Sequence, residues 1–195
     1  IETFAGKKQQ DTITHAIGPV WEANHVWLIL VVVILFVGFP AVYAALSIYL
    51  HIPLLALLIG IVMRGCAFTF RHYDAFHDNS QKVYTFIFRF SSFVTPVCLG
   101  VVAGAAISGS IDSTATSYAD IYIYSWLGWF PFATGIFLAC ICAFLAAIYL
   151  ITETKEKPER KLFEKAAIIA NACTVVAGAF VFVAAEMDGH PLLQE

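Results

Sequence analysis

Five stretches of the sequence are long and apolar enough to cross a lipid bilayer: residues 26–50, 52–70, 83–107, 131–151 and 166–185. A helical crossing takes about 20 residues, because in hydrocarbon each backbone N–H and C=O must find its partner within the segment. The sequence therefore predicts an all-α fold: a polytopic transmembrane helical bundle of five spans, forming one transmembrane domain over residues 1–195. Composition excludes the alternative of a water-soluble domain. Hydrophobic residues make up 60% of the chain and charged residues 13%, whereas soluble domains run near half apolar and a quarter charged. So few charges cannot cover a soluble surface.

The segments between the spans also carry information. Residues 1–25 read as a polar tail and the mouth of the first span. Gly38 and Pro40 predict a kink in that span, and a turn is expected at 51–53. The third span contains Pro96 and a run of small residues at 100–106, the composition that lets helices approach closely. Residues 111–130 begin polar and then carry Tyr122, Tyr124, Trp126 and Trp129. Such aromatics gather at the membrane–water interface, so a loop followed by an interfacial helix is expected there. Five spans between polar ends read as an internal piece of a longer protein.

The positive charges set the orientation. All eleven Lys and Arg fall in three places: Lys7 and Lys8; Arg64, Arg71, Lys82 and Arg89; and Lys155, Lys157, Arg160, Lys161 and Lys165. With five spans these three places share one side of the membrane, and the other side has no Lys or Arg. The positive-inside rule makes the shared side cytoplasmic. A net charge of −3 leaves no footprint for nucleic acid. Five cysteines lie inside apolar runs without metal or disulfide spacing and read as small packing residues.

Three places put ionisable groups where they are costly. Arg64 precedes Arg71 by seven residues, roughly 10 Å deeper along the second span. A guanidinium at that depth pairs, faces a wet cavity, or snorkels to the headgroups. The second place is Gly18-Pro19-Val20-Trp21-Glu22-Ala23-Asn24-His25-Val26-Trp27 at the mouth of the first span. If that segment is helical, Glu22 and His25 lie on one face, between Trp21 and Trp27. Glu22 and Asn24 are equally suited to capping a helix start. Glu22 and Arg64 are expected at similar depth on adjacent spans. A carboxylate, an imidazole and a guanidinium there would suit a proton entry path. The third place is Glu186, Asp188 and His190 at the far end of the last span, which reads as a solvated helix end.

The segment from Gly18 to Trp27, continued by Leu28-Ile29, resembles the GPVWDGNEVWLI-type motif of subunit II of cytochrome bd quinol oxidases. Further likenesses follow in order: Phe39-Pro40-Ala41-Val42-Tyr43-Ala44 is similar to the family's FPxxYA. Tyr49-Leu50-His51-Ile52-Pro53-Leu54 is similar to its YLPL turn, and Arg64-Gly65-Cys66-Ala67-Phe68-Thr69-Phe70-Arg71 to its RGxAFEFR.

The resemblance implies an eight-span subunit, of which this chain keeps five and lacks the first and the last two. It implies a heterodimer in the bacterial cytoplasmic membrane with a haem-bearing subunit I, which oxidises quinol and reduces dioxygen to water. The b-type and d-type haems belong to that partner. Subunit II binds none directly, supports the complex, contributes polar residues to proton delivery and leaves room for a structural quinone.

Three departures from the pattern matter. Glu22 stands for the usual Asp, Ala23 and His25 for the usual Gly and Glu or Gln, and Thr69 for the acid of the later motif. Glu22 is then the acid that carries over first. Two other classes remain open on the sequence: a solute or ion transporter, and a purely structural membrane subunit. Against the transporter, no acidic residue lies in the middle of any span.

Overall fold

The computed structural model describes residues 7–73, 80–109, 117–154 and 157–189; the side chains at 7–19, 21, 22, 25, 71–73, 80 and 157–159 lie outside the described set. Every regular element among the described residues is helical. In chain order they are α1 (Lys7–Gly38), α2 (Pro40–Tyr49), α3 (His51–Tyr73), α4 (Ser80–Ser108), a short π-helical segment (Asp120–Tyr124), α5 (Trp129–Glu153) and α6 (Lys157–Met187). The all-α bundle expected from the sequence is the fold adopted.

By length and composition four stretches can cross a membrane: His51–Phe70, Gln81–Ser108, Asp120–Glu153 and Arg160–Met187. A fifth arises when Val26–Gly38 and Pro40–Tyr49 are taken together as one broken span. Their junction bends by 113°, far more than the kink the sequence predicts. The helical ladder runs as far as Phe39, whose N–H reaches the Leu35 carbonyl at 3.0 Å, and Tyr43 N–H bonds back to the Phe39 carbonyl at 2.9 Å. Between them Pro40 has no N–H to give, and its ring crowds the preceding turn. Gly38, with nothing within 4 Å of where a Cβ would stand, adds no side chain to hold the two segments in line.

The next junction is tighter than expected. Leu50 alone separates α2 from α3. Pro53 therefore falls in the first turn of α3, where a backbone N–H would have no helical partner and its loss costs little. Where the sequence suggests an interfacial helix leading into the fourth span, the described residues hold a short helical stretch. It includes the π-helical segment, followed by a turn in which Ser125 Oγ donates to the Asp120 and Ile121 carbonyls at 2.9 and 2.7 Å.

The chain divides into two compact units. One holds α1, α2 as far as Ile48, α5 from Cys140 and α6 to Val175. Its buried residues cluster where α5 gives way to α6, with Leu150, Phe163 and Ala147 almost wholly covered. Thr154 closes α5 there by donating its hydroxyl to the Leu150 carbonyl at 2.7 Å. Along α1 the apolar side chains face outward: Val26, Phe36 and Val37 are each 60% exposed or more. Water would not tolerate such a surface; lipid or neighbouring helices would.

The other unit holds α3, α4, the π-helical segment, α5 to Ala139 and α6 from Val176. Glycines set its helix spacing. A Cβ on Gly60 of α3 would stand 2.6 Å from Thr95 Oγ1 of α4. A Cβ on Gly100 of α4 would stand 2.6 Å from Gly135 Cα and 2.7 Å from the Thr134 carbonyl oxygen of α5. Gly104 faces Pro131 in the same way, at 2.8 Å. In a membrane, where lipid offers no hydrophobic drive between helices, this backbone-to-backbone approach supplies the packing energy. Val101, Ala105 and Ala133 are buried along the seam. Ser91 and Thr95 of α4 return their hydroxyl protons to their own helix, Ser91 to Phe88 O and Thr95 to Ser91 O at 2.7 Å. α4 stays continuous through Pro96.

Candidate functional site

The α3–α4 pair positions Arg64. Gly60 lies opposite Thr95 and Phe68 opposite Phe88, so an antiparallel register brings Arg64, between Gly60 and Phe68, to the level of the Phe88 turn. The guanidinium carbon stands 5.6 Å from the centroid of the Phe88 ring. That ring is buried, and Phe68 packs on it at 6.3 Å. Attraction between a cation and a ring face is worth about 0.5–1 kcal/mol at exposed sites and about 2 when desolvated. Arg64 is half-buried, as is Arg89 one residue beyond Phe88. Neither α3 nor α4 contains an Asp or Glu.

Sequence reasoning singled out Arg64 but not Phe88, because no sequence spacing links them. The link needs the register of two helices, and that follows from Gly60 and Thr95.

Trp21, Glu22, Asn24 and His25 sit on α1, which is helical throughout residues 7–38. Asn24 is exposed, and Trp27 is 65% exposed. The side chains of Trp21, Glu22 and His25 lie outside the described residues, and with them the expected pairing of Glu22 with Arg64.

The far end of α6 is only in part the solvated helix end expected. Glu186 is exposed as predicted, but Asp188 is half-buried and acts on another helix. Its Oδ2 accepts the Phe130 N–H at 2.8 Å, capping the first turn of α5. A carboxylate at a helix N-terminus satisfies an orphan donor and meets the positive end of the helix dipole. A Cβ on Gly128 would come within 3.0 Å of that oxygen, so the glycine leaves room for the cap. His190 lies outside the described residues. Among the described residues no group of three or more His, Cys, Asp or Glu converges on a common point.

A family model for cytochrome bd terminal oxidase subunit II matches residues 1–192. The chain belongs to this family. It is 31% identical to "cytochrome bd ubiquinol oxidase subunit 2" of Bacillus subtilis strain 168 over 139 residues, covering 69% of this chain and 39% of that protein. It is 25% identical to "cytochrome bd-I ubiquinol oxidase subunit 2" of Escherichia coli K12 over 195 residues, covering 96% of this chain and 51% of that protein. The chain thus spans about half or less of the length of these relatives. With helices apolar enough to cross a bilayer, this subunit II chain is a multi-pass membrane protein and part of an oxidoreductase family.

Proposed function

We propose that this chain works within a cytochrome bd-type quinol:dioxygen oxidoreductase of the bacterial cytoplasmic membrane. In this reading it supports the haem-bearing subunit I and helps deliver cytoplasmic protons for reduction of oxygen. The carrying observation is the family match over residues 1–192, which favours this reading over a transporter. In the reaction two quinols and one dioxygen give two quinones and two waters. Haem chemistry belongs to the partner subunit, and room for a structural quinone is carried over from the family resemblance alone.

Proton delivery is assigned to Glu22, with His25 beside it on α1 and Arg64 on α3 as its counter-charge. Trp21 anchors the turn, and Asn24 supplies a polar neighbour. The half-buried guanidinium of Arg64 supports this reading, since charge at membrane depth is retained where it serves a polar path. The supporting topology counts α1 and α2 as one crossing, which gathers all eleven Lys and Arg on the cytoplasmic side.

The test is Glu22→Gln in the assembled oxidase. It keeps size and hydrogen bonding and removes the titration. Assembly and haem content should survive while turnover falls about tenfold or more; Glu22→Asp should keep most activity. Full activity of Glu22→Gln across roughly pH 6–9, a range bracketing the ordinary histidine pKa, would reduce Glu22 to a helix cap.

A further inference from the structure

A cavity of about 250 Å³ opens where α4 ends, α5 begins and α6 ends; Ser108, Tyr124, Trp126, Gly128, Pro131 and Asp188 line it. Two helices present their C-terminal ends here, and each stops at a left-handed glycine, Gly109 at φ 66° after α4 and Gly189 at φ 78° after α6. Helix C-termini carry unsatisfied carbonyls and the negative ends of their dipoles. The one N-terminus present, that of α5, already has its anion in Asp188.

The carboxylate is held firmly. Asp188 N–H bonds to the Ala184 carbonyl at 3.0 Å, Gly189 N–H to the Glu186 carbonyl at 3.2 Å, and Oδ2 to Phe130 N–H. Two donors in the wall are engaged as well: Ser108 Oγ gives its proton to the Ala105 carbonyl at 3.1 Å and Trp126 Nε1 to the Tyr122 carbonyl at 2.8 Å. The lining thus combines a carboxylate with aromatic side chains, beside the negative ends of two helices.

That chemistry recognises a cation, and the stretches that build the wall carry no Lys or Arg. Between Arg89 and Lys155 there is no Lys or Arg, and none follows Lys165. The depth argues for the source. Ser108 and Met187 are the last residues of two candidate spans, and the Tyr and Trp residues beside them mark the headgroup layer. The volume lies below the roughly 300–1,000 Å³ of sites that enclose a drug-sized ligand, and suits a headgroup.

We propose that this cavity binds the primary ammonium of an aminophospholipid headgroup, with Asp188 as its counter-ion and the aromatic side chains of Tyr124 and Trp126 beside it. An ammonium beside an aromatic face gains a cation–π attraction in addition to the ion pair. The site rests on the ends of α4, α5 and α6 and stands whichever side of the membrane they occupy. It is independent of proton delivery through Glu22.

The test uses the assembled oxidase in lipid nanodiscs of phosphatidylethanolamine, phosphatidylcholine or phosphatidylglycerol, with retained lipid read by native mass spectrometry. The wild type should retain phosphatidylethanolamine in preference to the other two. Asp188→Asn keeps an oxygen for the Phe130 N–H and removes the charge, so the α5 cap survives while phosphatidylethanolamine binding weakens roughly tenfold, as loss of a charged hydrogen bond predicts. Trp126→Leu keeps the carboxylate, removes the indole, and should also weaken binding; it decides the matter if Asp188→Asn does not assemble. Retention that is equal in wild type and an assembled variant overturns the proposal. So does equal retention of phosphatidylglycerol, or a wild type that retains no lipid because a lysine from elsewhere in the complex fills the cavity.

Discussion

Gly100→Ala is the sharpest probe of how this bundle is held together. The new Cβ would stand 2.6 Å from Gly135 Cα, 2.7 Å from the Thr134 carbonyl oxygen and 3.0 Å from Gly135 N. All three are backbone atoms, so no side chain can rotate away. Carbon atoms in good contact sit about 3.5–4.0 Å apart, and α4 must therefore move off α5 by about 1 Å. The shift cannot stay local, because Gly104 against Pro131 and Gly135 against the Val97 carbonyl, each at 2.8 Å, lie on the same seam. Overpacking of this kind costs about 1–3 kcal/mol.

The comparison is Gly178→Ala, whose Cβ would meet the Phe137 ring first, at 3.2 Å, a side chain able to shift by a few tenths of an ångström. In the purified complex, Gly100→Ala should lower the thermal midpoint of unfolding clearly more than Gly178→Ala does. Equal midpoints for Gly100→Ala and wild type, at unchanged haem content, would refute the claim that backbone contact sets the α4–α5 spacing.

Two further outcomes follow from the same coordinates. Phe88→Leu keeps apolar volume under Arg64 but removes the ring face, and should destabilise the complex by about 1–2 kcal/mol. Phe86→Leu, at a ring 69% exposed on the same helix, should change stability by less than half of that; equal effects would show that the Arg64–Phe88 contact contributes nothing. Single cysteines at Lys8 and Lys157, in an otherwise cysteine-free oxidase in intact cells, should both resist a membrane-impermeant thiol reagent. Labelling at Lys157 would overturn the orientation proposed for α5 and α6, and labelling at Lys8 alone would show that α1 and α2 do not cross together.

The helices were legible because lipid leaves the backbone few choices: apolar length alone located 52–70, 83–107 and 131–151 close to α3, α4 and α5, whereas 166–185 lies inside a longer α6 that begins at Lys157. What escaped was set by contacts between elements. Asp188 read as a solvated end because nothing in the sequence ties it to Phe130, 58 residues away. Arg64 was legible as a costly charge, but its aromatic neighbour was not, since Phe88 reaches it across two helices. Pro40 announced a disturbance whose size the sequence did not carry. A proline inside a helix usually bends it modestly, and the same residue beside a glycine, with outward-facing apolar neighbours, marks a turn of 113°.

That turn bears directly on the proton proposal. Val26–Gly38 is 13 residues, about 20 Å of helix, and Pro40–Tyr49 about 15 Å. Pro40–Tyr49 alone does not span the roughly 30 Å of hydrocarbon, whereas α1, helical from Lys7 to Gly38, is long enough. If the pair crosses, Glu22 lies on the same side as Arg71 and Lys82, and a path from it draws on cytoplasmic water. If the pair dips in and returns, the tail bearing Lys7 and Lys8 lies opposite the α3–α4 connection, and Glu22 faces the other compartment. The positive charges discriminate between the two. A crossing keeps all eleven on one side, whereas a return strands Lys7 and Lys8 on a side otherwise free of Lys and Arg. The crossing is thus the arrangement the charges favour, and where the break at Pro40 lies within the bilayer its freed backbone groups must be satisfied by protein or water. At the break the Phe39 and Tyr43 N–H groups keep their helical partners, so the backbone groups that protein or water must satisfy are those of the turn around Pro40.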